Sequence, residues 1–177
     1  PVQTQGRFEQ HIAEVVIDDR NNWRHKILKS IELNYSKTPH FSSYWPFFKQ
    51  CLEQDRRMLA ELNEELIRGC IEFLGIEVEI VKSSELGVDA KGTDLIVEMC
   101  KAVGADVYVS GQSGKEYLDE ADVAAEGIGL VYQDFEHPQY RQVAEPFIPQ
   151  LSVVDLLFNE GGKAGEYVRS AGTFAES

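Results

Sequence analysis

Between residues 23 and 35 the apolar side chains Trp23, Ile27, Ile31 and Tyr35 recur every four positions, with Leu28 beside them. One apolar face at that spacing predicts a helix running to about residue 34, started by Asn21 or Asn22 after the turn Asp18-Asp-Arg-Asn-Asn22. Upstream, Ala13, Val15 and Ile17 alternate with Glu14, Val16 and Asp18, a period of two that predicts a strand over residues 8–17. Pro39 stops the first helix. The aromatic run Phe41, Tyr44, Trp45, Phe47 and Phe48 opens a second helix through Leu52, with Pro46 placed in its first turn. Leu59, Leu62, Leu66, Cys70 and Phe73 mark a third helix over residues 57–74, closed by Gly75.

The pattern then changes. Ile76-Glu-Val-Glu-Ile80 alternates and predicts a strand. Thr93 is placed as the cap of a helix with core face Ile96, Met99, Cys100 and Val103, ended by Gly104; Val107 and Val109 predict the next strand. Residues 76–110 thus read as strand, helix, strand, a unit that pairs its strands in parallel with a right-handed crossover. A helical segment to about residue 125 and a strand over Ile128, Leu130 and Tyr132 follow. Residues 134–150, with three prolines, read as a long loop. Ser152 caps a short helix over 153–158, and a last helix over 164–171 precedes a frayed tail. The expectation is an α/β fold with a mainly parallel sheet flanked by helices, and a helical partial lobe over about residues 20–74.

Composition narrows the classes of function. The chain has 177 residues, 43% of them hydrophobic, which suits one globular domain. Thirty acidic residues stand against 17 basic ones, a net charge of −13. Nucleic acid and anionic lipid are therefore poor partners. Cys51, Cys70 and Cys100 are odd in number and lie on apolar helix faces, so they read as core thiols in a reducing compartment. With no secretory leader and no apolar run of membrane length, the expected location is cytoplasmic. The oligomeric state is left open.

Candidate chemistry centres on the turn after Val109. Ser110-Gly-Gln-Ser-Gly-Lys115 follows a strand end, where α/β folds bind ligands. It is too short for a phosphate-binding P-loop and lacks the dinucleotide glycine pattern. One reading makes the amides of Gly111 to Gly114 an anion cradle with Lys115 offsetting charge, flanked by Ser110, Ser113, Tyr117 and Asp119. The other makes it a plain turn whose glycines serve the backbone. Ser83 and Ser84 open the polar loop that follows the preceding predicted strand, and that loop would lie beside Ser110-Gly111 if the two strands were neighbours. Asn34 and Tyr35 end the first helix and, with Tyr117 and Asp119, would shape the substrate pocket. Asp155 and Asn159 share a helix face and either line a site or hydrogen-bond the helix end. The four histidines show no metal-ligand spacing, and no cofactor is expected.

Taken together, Asn22-Trp-Arg24, Ser30-Ile-Glu-Leu-Asn-Tyr35, Pro39-His-Phe41, Ser83-Ser-Glu-Leu86, Val107-Tyr-Val-Ser-Gly111, Gly114-Lys-Glu-Tyr-Leu-Asp119 and Leu151-Ser-Val-Val-Asp-Leu-Leu-Phe-Asn159 with Gly161 resemble the WbqC-like protein family, in its order. Two features depart from it. The family's N-terminal Gln-Pro-x-Tyr-x-Pro-Trp-type segment is missing, so the chain reads as a single WbqC-like domain, residues 1–177, that is N-terminally truncated. A family histidine aligns with Ile27, and His25 is the nearest histidine here.

The resemblance implies an enzyme of bacterial surface-polysaccharide (O-antigen type) or related secondary metabolism. The reaction expected is acyl- or aminoacyl-type transfer to an amino sugar or similar amine. Its partner would be a small anionic substrate, a nucleotide-sugar or acyl donor, with His25 or Asp119 as catalytic base. The competing expectation is a non-catalytic module that binds a nucleotide-sugar or a partner.

Overall fold

A computed structural model describes residues 1–7 and 9–176, leaving the side chain of Glu176 aside. Phe8, in the predicted first strand, and Ser177, in the predicted tail, lie outside the described residues. In chain order the elements are α1 (Trp23–Tyr35), α2 (Phe41–Glu53), α3 (Leu59–Phe73), α4 (Gly92–Val103), β1 (Val107–Gly111), α5 (Glu120–Ala125), β2 (Gly129–Phe135), α6 (Val153–Glu160), α7 (Ala164–Ser170) and β3 (Gly172–Glu176). This is a mixed α/β fold. Contacts divide it into two units: unit 1 joins Pro1–Glu77 to His137–Arg169, and unit 2 joins Val78–Glu136 to the segment from Ser170.

Unit 1 is helical. Its core gathers Trp45, Phe48, Leu74, Tyr140, Leu156, Leu157, Phe158 and Ala164. Phe158 is fully buried, and its ring meets Tyr35, Phe41 and Phe48 at centroid distances of 5.2, 5.2 and 5.8 Å. The aromatic run of α2 is thus core, each ring removing a large apolar area from water. A smaller cluster joins Ile17, Cys51 and Leu62. Burial, with Glu65 nearby, pushes the Cys51 thiol up to about 11, and all three cysteines are free thiols.

The stretch Asn22-Trp-Arg24 has a structural use. The Arg24 guanidinium donates to the carbonyls of Leu52, Gln54 and Arg56 at 3.0, 2.9 and 3.1 Å, and to Asp19 Oδ1 at 3.0 Å. It thereby satisfies the Leu52 carbonyl in the last turn of α2 and ties down the Gln54 and Arg56 carbonyls of the segment that follows. Trp23 Nε1 donates to the same Asp19 oxygen at 2.9 Å.

Unit 2 holds a three-stranded sheet in the order β1-β2-β3. β1 and β2 run parallel, with Tyr108 opposite Leu130 and Ser110 opposite Tyr132; β3 is antiparallel to β2, with Phe174 opposite Gln133. Leu130 and Tyr132, with Tyr108 packed beside them, join Val97, Cys100, Leu118, Val123 and Ile128 in one core. Val107 and Val109, on the other face, are exposed.

Several expected elements differ. Residues 8–17 form no strand: the described part folds as a 3-10 turn at Ile12–Glu14, and Val16 and Ile17 make only single bridges, to Met58 and Val2. Alternation had no neighbouring strand to pair with. Residues 76–80 form no strand either. Gly75 takes a left-handed φ of +62°, and the N–H groups of Gly75 and Ile76 return to the carbonyls of Glu72 and Ile71 at 3.0 and 3.1 Å. This is a Schellman closure, and Ile76 packs against the unit 1 core as its apolar contact. The parallel pair is therefore β1 with β2, joined through α5, and not 76–80 with 107–110.

Thr93 lies inside α4, whose N-cap is Lys91. Pro46 lies within α2 rather than in its first turn. α6 runs on to Glu160, and part of the expected tail is the strand β3. Among the described residues no helix is long and apolar enough to cross a membrane.

Candidate functional site

The chemistry within unit 1 converges on Asp155, in the first turn of α6. Ser152 caps that helix, its side chain accepting from Val154 N at 3.3 Å. Asp155 is 4% exposed. Its Oδ2 accepts the Tyr140 hydroxyl at 2.7 Å and the Gln142 amide at 3.1 Å. Tyr35, ending α1, is the third group on this carboxylate. Burial first, then the charge of Asp155 and a hydrogen bond to it, push the Tyr35 phenol up to about 12. Tyr140 is shifted further in the same direction, chiefly by burial and then by its bond to Asp155. Both phenols therefore stay protonated beside the carboxylate, and these hydrogen bonds offset the cost of burying it.

Gln142 also fastens the loop that carries it. Its amide nitrogen donates to Ile148 O at 2.9 Å and its amide oxygen accepts Ile148 N at 2.8 Å. Tyr140 stands edge-on to Phe147, centroids 5.5 Å apart, and 6.0 Å from Tyr167. Tyr140, Arg141, Gln142, Glu145 and Phe147 line a cavity of about 240 Å³. Two walls of that cavity are thus the two residues whose side chains hold Asp155. A larger hollow of about 370 Å³ runs along α3 beside Phe47, but its Arg68 is paired with Glu64 at 2.9 Å and its remaining charges are acidic.

Of the residues marked in the sequence, Tyr35, Asp155 and Asn159 belong to this region. The Asn159 amide donates to Asp155 O at 2.8 Å, and Asn159 is buried. Asn34 is exposed and bonds back to Ser30 O at 2.8 Å. His25 stands exposed in the first turn of α1. His40, from Pro39-His-Phe41, lies against Gly161: a Cβ on that glycine would stand 2.5 Å from His40 Nδ1. Tyr140, Arg141, Gln142 and Glu145 were hidden in what read as a featureless loop. The signal available was a set of aromatics, His137, Tyr140 and Phe147, inside a long segment with no element of its own, a setting in which function is over-represented.

The glycine turn lies in unit 2. Residues Gln112–Glu116 fold as a 3-10 turn. Ser110 is buried beneath it and donates to Gly111 O at 3.1 Å. Gly114 is buried over Ser110, where an added Cβ would stand 2.0 Å from the hydroxyl oxygen. Gly111 itself faces open space, and Ser113 is exposed. The Lys115 ammonium sits 4.8 Å from the Tyr132 ring centroid, a cation–π contact. Tyr117 is 61% exposed. Asp119 caps α5, its Oδ1 accepting from Ala121 N at 3.0 Å and Asp122 N at 3.2 Å, while its own N–H goes to Thr93 Oγ1 at 3.0 Å. Ser83 and Ser84 form an exposed 3-10 turn with Glu85, and the ladder expected to carry them to Ser110 does not form. Among the described residues no group of three or more His, Cys, Asp or Glu is gathered around a common point.

No solved structure matches the chain. The uncharacterized protein Rv1507c of Mycobacterium tuberculosis is 32% identical over 171 residues, covering 96% of this chain and 74% of that protein. The profile of the WbqC-like protein family matches residues 1–167, which takes in α1 to α6, the Asp155 cluster and the glycine turn. On both matches, the chain belongs to the WbqC-like protein family.

Proposed function

We propose that this protein is an enzyme of bacterial surface-polysaccharide (O-antigen type) or related secondary metabolism that transfers an acyl- or aminoacyl-type group to the amine of an amino sugar or similar acceptor. One observation carries the reading: a buried carboxylate, Asp155, held by two residues that line a cavity of small-molecule size. In such a transfer the acceptor's ammonium first gives one proton to a base; the free amine nitrogen then bonds to the acyl carbon, the bond from that carbon to its leaving group breaks, and the second proton leaves with that group. An acceptor amine arrives as a cation, and negative charge behind the cavity wall favours its binding. Asp155 acts through Tyr140 and Gln142 and is a positioning residue; Tyr140, kept protonated, is the hydroxyl at the wall.

Within unit 2, taken by itself, the exposed Ser113 and Lys115, with Ser110, Gly111 and Gly114 shaping their turn, are a separate candidate place for the anionic group of a nucleotide-sugar or acyl donor. Asn34, Tyr117, Ser83 and Ser84 remain candidate binding residues. His25 and Asp119 remain the candidate bases.

The reading of a non-catalytic binding module is favoured by one observation, that the Asp119 carboxylate is engaged as a helix cap. The test is to incubate the protein with acetyl-CoA or an aminoacyl thioester and an amino-sugar nucleotide, and to look for the amide product by mass spectrometry. Product whose rate falls about ten-fold or more in Tyr140→Phe, with KM and kcat measured separately, supports the enzyme. Saturable binding of the nucleotide-sugar without product in any pairing supports the module.

A further inference from the structure

We propose that the cavity of the 137–150 loop selects an acceptor carrying an ammonium group close to a carboxylate, as an amino-sugar acid or a free α-amino acid does. The inference deepens the transferase reading and rests on it for the acceptor's role, while the binding claim stands by itself. Its basis is that the cavity is lined by residues of both signs, Arg141 and Glu145, within one short loop. Neither side chain is in an ion pair among the described residues, and both residues are exposed. A guanidinium offers parallel N–H donors that match a carboxylate, and a glutamate at the same mouth matches an ammonium.

The surroundings sharpen the choice. Asp155 adds a second negative charge behind Tyr140 and Gln142, so the site as a whole favours a ligand with a cation over a plain acid. Tyr140 and Phe147 supply the apolar walls. The volume, about 240 Å³, lies just below the range of roughly 300–1,000 Å³ seen for drug-sized ligands, and suits a single sugar ring or amino acid. Two Gln142–Ile148 bonds tie the loop across its base, which lowers the ordering cost of binding.

Four probes test this by calorimetric titration: glucosaminuronic acid, serine, glucosamine and glucuronic acid. The inference expects glucosaminuronic acid or serine to bind saturably, and glucosamine, without the carboxylate, and glucuronic acid, without the amine, to bind about ten-fold or more weakly. It expects Arg141→Ala and Glu145→Gln each to weaken the favoured probe by a similar factor with the thermal midpoint unchanged, since neither residue is buried. Tight serine with weak glucosaminuronic acid assigns the amino-acid source; the reverse assigns the sugar acid. No saturable binding by any probe, equal binding of glucosamine, or unaltered affinity in both variants overturns the inference. If the probes fail while acetyl transfer to glucosamine proceeds, the transferase reading survives alone. If they bind and no donor yields product, the site survives without the enzyme.

Discussion

Replacing Tyr140 by phenylalanine removes one oxygen and leaves the ring. That oxygen donates to Asp155 Oδ2 at 2.7 Å, and the carboxylate is 4% exposed, so water cannot take its place. A hydrogen bond to a charged group contributes about 1.5–3 kcal/mol. The ring contacts with Phe147 and Tyr167 persist, so little cavity term adds to this. Asp155 keeps Gln142 at 3.1 Å and the Tyr35 phenol, which holds the loss within that range rather than at the larger cost of an uncompensated buried charge. For a chain of this size the thermal midpoint should fall by roughly 3–12 °C. Urea unfolding followed by circular dichroism at pH 7 measures the change, with an unaltered m-value showing that the denatured state is not involved. In an Asp155→Ala background the same substitution should cost much less, because the acceptor is gone. A loss under about 0.5 kcal/mol, or an equal loss in both backgrounds, would refute the account of Asp155 as a carboxylate held by this hydroxyl.

Other outcomes follow from the same geometry. The Tyr35 phenol is raised from 10.0 to about 12, so it contributes stability that is fully present below pH 10 and is lost as the pH climbs through about 12. Phenolate absorbance at 295 nm should therefore show this residue titrating late, and Tyr35→Phe should flatten the alkaline loss; early titration near pH 10 would contradict it. Gly114→Ala should cost about 1–3 kcal/mol through collision with the Ser110 hydroxyl, and Ser110→Ala should recover much of that, since the next contact is at 3.1 Å. Failure of the second change to rescue the first in chemical denaturation would mean that the glycine serves something other than this approach. Gly161→Ala should cost about 1–3 kcal/mol both from its φ of +59° and from the His40 ring; adding His40→Ala should relieve only part, and complete relief would rule out the backbone contribution.

The helices were legible because each carries its own period. Trp23 to Tyr35 and Leu59 to Phe73 need only their spacing to declare an apolar face. Leu59, Leu62, Leu66, Cys70 and Phe73 pack on the core, as do Trp23, Leu28, Ile31 and Tyr35, whereas Ile27 of the expected first-helix face stands exposed. Strands were harder, because alternation does not name a partner. Residues 76–80 alternate as well as any strand, yet Ile76 is taken by the end of α3, whose left-handed Gly75 turns the chain before a ladder can begin. β3 could not be seen at all, since its pairing with β2 depends on residues far away in sequence. The site divides in the same way. Asp155 and Asn159 announced a shared helix face. Their partners Tyr140 and Gln142 sit in an irregular loop, where nothing periodic marks a side chain as inward. The glycine turn was visible, but only coordinates reveal that Gly114 is small because Ser110 lies beneath it.

Each unit is assembled from two separate stretches of chain, and the far edge of β2 is covered by β3, which is made long after it. During synthesis, residues 78–136 leave the ribosome with the sheet unfinished. The edge of Gly129–Phe135 stays open while all of residues 137–169 is being added. An open strand edge invites pairing with other chains. Throughout that interval the nascent sheet ends at β2, and a cut within it would leave unit 2 without its third strand. The loop that holds Asp155 is made during this wait, so the segment that separates the two parts of unit 2 is itself part of unit 1.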